Sequence, residues 1–178
     1  MIIEPSEWIK VPDDNGDGFL LGYVTEGSLE FPIPIETHNV SVGDVKIGEN
    51  QNFEIILKCA EKPTVFEDED VFYKDKAHRM ASESAIPIGT FSPSGEENYV
   101  RTPTVLMNGR VIKTYEDSVQ YGFEKDDVLF SFSCLGVEYD AVLHGGTTDE
   151  VCIQEGNIVS CVYWVQGWPA EENNNESK

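Results

Sequence analysis

Asp13, Asn15, Asp17 and Gly18 stand at the spacing that begins a calcium loop, with oxygen side chains at alternate positions and a glycine at the sharp turn. The closing position, which should supply a bidentate glutamate, is Val24. A segment rich in Asp, Asn and Gly between two apolar runs has the same composition for conformational reasons, so it reads as a hairpin turn. His144-Gly145-Gly146 has the form of an esterase oxyanion loop, yet no Gly-x-Ser-x-Gly elbow accompanies it. His38, His78 and His144 lie far apart, and Cys59, Cys134, Cys152 and Cys161 contain no C-x-x-C pair. A Cys152/His144 nucleophilic pair has no other residue in the sequence to support it. The expectation is a non-enzymatic protein with no catalytic residue, no cofactor and no metal.

What remains is charge. Thirty-three Asp and Glu against twelve Lys and Arg give a formal net charge of −21 over 178 residues. They are distributed along the chain, with Glu67-Asp68-Glu69-Asp70 as the one run, which suits an acidic folded surface better than a disordered arm. Such a surface repels phosphate backbones and anionic membranes and attracts basic proteins. Acid–base catalysis needs a desolvated carboxylate, and pairs such as Asp126-Asp127 or Glu138/Asp140 carry no sign of burial in so acidic a chain. Partner-binding candidates are therefore Glu67, Asp68, Glu69, Asp70, Glu138, Asp140 and Trp168. Of the aromatic group Tyr163, Trp164 and Trp168, core packing takes most and a partner patch the rest.

The elements that carry these residues are strands. Trp8 to Val11 and Phe19 to Val24 flank the Asp- and Gly-rich turn, and Phe53 to Ala60 has one fully apolar face. Pro32 and Pro34 bar residues 29–40 from a central strand, because proline donates no ladder hydrogen bond. Val65-Phe66 and Val71-Phe72-Tyr73 lie on either side of the acidic run, and a short helix is expected at about Asp75 to Ser84. Val105 to Tyr115 forms a long strand with a bulge or bend at Gly109. Val128 to Leu135 and Val137 to Leu143 alternate as a hairpin with one wet face that carries Glu138 and Asp140. Ile158 to Val165 is apolar on both faces.

Ala85-Ile86-Pro87-Ile88-Gly89-Thr90-Phe91, Met107-Asn108-Gly109-Arg110-Val111 and Gly156-Asn157-Ile158-Val159, continuing to Tyr163-Trp164-Val165-Gln166-Gly167, resemble a group of uncharacterised bacterial proteins with an OB-like domain. The similarity covers about residues 84–168 and implies a fold without implying a function. Val40 to Ile47 has a comparable barrel-turn pattern, which hints at a repeat. The expected fold is mainly β, an antiparallel β-barrel that is OB-like in the C-terminal half, with one short helix. The expected organisation is an N-terminal β region at 1–75, helix and loop at 76–100, barrel at 101–169 and a disordered tail at 170–178. No basic, apolar leader opens the sequence and no apolar run approaches a membrane span, so a cytoplasmic protein with reduced, buried thiols is expected. The leading functional reading is a module that binds a basic protein through its acidic surface. The alternative is an OB-type domain for single-stranded nucleic acid, against which the charge weighs.

Overall fold

The computed structural model describes residues 1–10, 18–27, 29–37, 44–75, 80–91, 99–145 and 151–170. The chain is mainly β, with ten strands in one sheet and one α-helix among the described residues. The strands are β1 (Ile2–Lys10), β2 (Gly18–Val24), β3 (Phe31–Glu36), β4 (Gln51–Cys59), β5 (Thr64–Phe66), β6 (Ser84–Ile86), β7 (Thr104–Tyr115), β8 (Val128–Cys134), β9 (Val137–Leu143) and β10 (Ile158–Pro169). No helix among the described residues is long and apolar enough to cross a membrane.

The helix, α1, spans Glu69–Lys74, ahead of the expected Asp75 to Ser84. Residues 76–79 of that expected helix lie outside the described residues, and Ser84 opens β6 instead. The acidic run itself starts α1. Asp68 caps it, its Oδ1 accepting from the Val71 N–H at 2.8 Å, while Glu69 and Asp70 sit in the first turn and Lys74 in the last. Acids at the start and a base at the end suit the helix dipole, so the run read as acidic surface is also a helix start signal. Phe72 is thereby buried and meets Phe66 edge-on at 5.0 Å, not extended in a strand as Val71-Phe72-Tyr73 suggested.

Sheet order is β5-β10-β3-β2-β1-β4-β9-β8-β7-β6, with further pairings β10–β4 and β10–β7. These pairings close two circuits. One runs β1-β2-β3-β10-β4 and back to β1; the other runs β7-β8-β9-β4-β10 and back to β7. Both have the same connectivity. An antiparallel meander gives three strands, the first pairs antiparallel with its own half's last strand, and the third pairs parallel with the other half's last strand. The correspondence extends to register. A bulge between Pro5 and Glu7 in β1 recurs between Val111 and Lys113 in β7, and Glu36 beside Gln166 recurs as Val142 beside Lys58. Leu57 of β4 faces Val165 of β10 at the centre of the exchange.

β3 lies between β2 and β10 in the sheet, not at an edge as its prolines suggested, and the prolines limit one side of it. It pairs along its length with β2 but meets β10 only at Glu36, since Pro32 and Pro34 have no N–H to offer. Parallel pairs β4–β9 and β3–β10 make the sheet mixed, where hairpin reasoning sees only antiparallel neighbours. Inside, Phe132 lies between Tyr139 and Tyr163, with ring centroids 5.7 and 5.5 Å away and the rings nearly parallel. The Tyr163 hydroxyl is fully buried with no hydrogen-bond partner, and burial, then the thiols of Cys59, Cys161 and Cys134, push its pKa well up. Tyr163→Phe removes that unpaired oxygen and is expected to stabilise the protein by about 1 kcal/mol. A higher urea midpoint reads this out; a lower midpoint would mean that the hydroxyl is satisfied.

Candidate binding groove

The seven residues expected to bind a partner fall into two places. Glu67 to Asp70 serve the fold first. Asp68 is the helix cap, and Glu69 pairs with Arg110 at 3.1 Å while accepting from Ser82 Oγ at 2.6 Å. Arg110 also donates to the Gly156 carbonyl at 3.2 Å, which ties the acidic run to the turn before β10. Glu67 and Asp70 are exposed, and neither lines the groove formed by the other candidates.

Glu138, Asp140 and Trp168 come together. They line a groove of about 420 Å³ with Glu54, over a floor that includes Ile55 and Ile56. Pairing explains the convergence. Alternation in β9 buries Tyr139 and Ala141 and leaves Glu138 and Asp140 outside, as the sequence predicts. The parallel β4–β9 ladder sets Asp140 beside Ile56, and the antiparallel β4–β10 ladder sets Trp168 opposite Glu54. Trp168 is 44% exposed, and its Nε1–H donates to Glu54 Oε2 at 2.8 Å, which fixes the ring as a wall. Asp140 Oδ1 accepts from the buried Ser131 hydroxyl at 2.6 Å, and Ser131 Oγ lies 2.9 Å from the Tyr115 hydroxyl. Three carboxylates beside an indole face can take an ammonium or guanidinium group by charge and by cation–π contact.

The second circuit supplies an internal comparison. Three residues before the central Leu57·Val165 pair, Glu54 corresponds to Val162; three residues after it, Trp168 corresponds to Ala60. Along the parallel ladders, Glu138 and Asp140 correspond to Pro32 and Pro34. The fold therefore accepts apolar residues at all four positions.

Other candidates are placed elsewhere. Tyr163 is core, as expected, and Trp164 donates to Glu36 Oε2 at 2.8 Å beside Gln166, which donates to the same oxygen at 2.6 Å. Cys134 and Cys161 are buried and Cys59 is partly so, but Cys152 is exposed, against the expectation that all four are buried. Residues 13, 15 and 17 of the calcium-like spacing, His38, His78 and Gly146 lie outside the described residues. A buried carboxylate that sequence reasoning passed over is Asp127. Its Oδ1 accepts from Gly145 N–H at 2.8 Å, and its Oδ2 accepts from Glu124 N–H at 3.1 Å and lies 3.2 Å from His144 Nδ1. Burial alone would raise this carboxyl; the backbone donors of Gly145 and Glu124, with His144, outweigh it and hold the group below its ordinary value. The dyad closes the exit of β9. No family model, curated protein or solved structure matches this chain.

Proposed function

We propose that this protein is a non-enzymatic cytoplasmic binding module that takes a lysine or arginine side chain of a basic partner protein in the groove of Glu54, Glu138, Asp140 and Trp168. The observation that carries the reading is the convergence of three carboxylates and an exposed indole where the corresponding positions of the other circuit are Val162, Pro32, Pro34 and Ala60. The other circuit builds the same ladders with apolar residues at these positions, so the acid is assigned to a ligand beyond the hydrogen bonds that Asp140 and Glu54 accept from Ser131 and Trp168. Ser131 supports this by holding Asp140 in place before a partner arrives, which reduces the ordering cost of binding. An OB-like description of the C-terminal circuit belongs to the same proposal, supported by its five strands built from a meander and two added strands.

Titration with short lysine- and arginine-containing peptides, followed by tryptophan fluorescence at low and raised salt, tests the reading. Binding is expected to weaken as salt screens the carboxylates, and Asp140→Asn and Trp168→Ala are each expected to weaken it about tenfold. Absence of binding at low salt, or affinity indifferent to both substitutions, removes the proposal.

A further inference from the structure

β1 runs from the acidic groove at Met1 to a recess of opposite character at Lys10. That recess, about 370 Å³, is lined by Glu7, Trp8, Ile9, Lys10, Tyr99 and Arg101. It gathers two cations and two aromatic rings on a protein whose net charge is −21. Lys10 and Arg101 are exposed at its rim, and Trp8 is half-buried, so its ring is both supported and accessible. Tyr99 is fixed by its hydroxyl, which donates to the Ile88 carbonyl at 3.2 Å in the short 3-10 turn Ile88–Thr90. Glu7 is the one carboxylate among these lining residues.

We propose that this recess is a binding site for a free mononucleotide, with the base against Trp8 and Tyr99 and the phosphate on Lys10 and Arg101. Every nucleobase has a π-face for an aromatic ring, and a guanidinium with an ammonium matches a phosphate monoester. The volume lies within the range of small-ligand sites. The surrounding charge selects the size of the ligand. A single phosphate meets the two cations of the recess, whereas a longer strand also meets the repulsion of a protein whose net charge is −21.

Titration of the protein with adenosine 5′-monophosphate, adenosine and inorganic phosphate, by calorimetry and tryptophan fluorescence, tests the site. The monophosphate is expected to bind saturably with a change in fluorescence, and adenosine and phosphate each about tenfold more weakly or less. Arg101→Ala, at an exposed position, is expected to weaken the monophosphate about tenfold and to leave the urea midpoint unchanged, with Lys10→Ala similar. Trp8→Leu is expected to abolish the fluorescence change. No saturable binding at millimolar monophosphate, or binding that Arg101→Ala leaves intact, overturns the site. A short single-stranded oligonucleotide that binds more tightly than the monophosphate, with steep salt dependence, overturns the mononucleotide in favour of a strand. Because this recess shares no residue with the acidic groove, failure of the peptide titration leaves the present test unaffected.

Discussion

Gly109→Val is expected to cost about 3 kcal/mol or more, enough to lower the thermal midpoint by roughly 10 °C. A Cβ at Gly109 collides with the Phe132 ring and with the Ser133 carbonyl oxygen of β8. Neither can retreat cheaply. Phe132 is held between Tyr139 and Tyr163, and Ser133 is hydrogen-bonded in register with Arg110. The chain bulges three residues later, between Val111 and Lys113, so the glycine's role here is close approach and the bend lies beyond it. Urea unfolding together with near-ultraviolet circular dichroism reads the loss of midpoint and of aromatic order. Gly48→Ala is the control. Its φ of +79° carries strain but nothing lies within 4 Å, so about 1 kcal/mol is expected there. Equal effects at the two glycines would show that packing around Phe132 is not the cause.

Asp127→Asn is expected to destabilise the protein by about 2 kcal/mol at neutral pH, through loss of a charged acceptor for two backbone N–H groups and His144. The sign of the pH dependence follows from the lowered carboxyl pKa. Above the ordinary carboxylate range of about 4 the stabilisation is fully present, and it is lost as pH falls through the lower value in the folded protein. The difference between wild type and variant should therefore be largest near neutrality and shrink below about pH 4. Urea midpoints measured from pH 7 down to about pH 3 decide it. A difference that stays constant across that range would mean that the carboxylate's charge contributes nothing.

Local pattern carried most of the strands. Alternation found β8 and β9 within a residue of their ends, and apolar runs found β2, β4 and β7. Pro5, Glu4 and Glu7 hid the first half of β1, because the proline sits where the strand bulges and the acids face outward. Pro169 and Gly167 similarly masked the extension of β10. Helix and acidic run were confused because Asp68 is at once a charged surface residue and a cap, and only the burial of Phe72 separates the two roles. Of the groove, alternation could place Glu138 and Asp140 outside on β9. Glu54 and Trp168 reach them through ladders between residues more than eighty positions apart, and no window along the chain contains that information. Asp127 was invisible for the same reason as the other acids: composition gives each carboxylate the same weight until a fold buries one.

The exchange of last strands between the two circuits has a consequence for biosynthesis. Each circuit needs β4 and β10, and β10 is made after the other nine strands of the sheet. While β1 to β4 emerge from the ribosome, their circuit stands open at the place β10 will fill, with Leu57 and Ile55 lacking their cover. Neither circuit has a finished form of its own, because each lacks a neighbour until β10 is in place. Until then the nascent chain presents open strand edges, and its dense negative charge keeps those edges apart from one another.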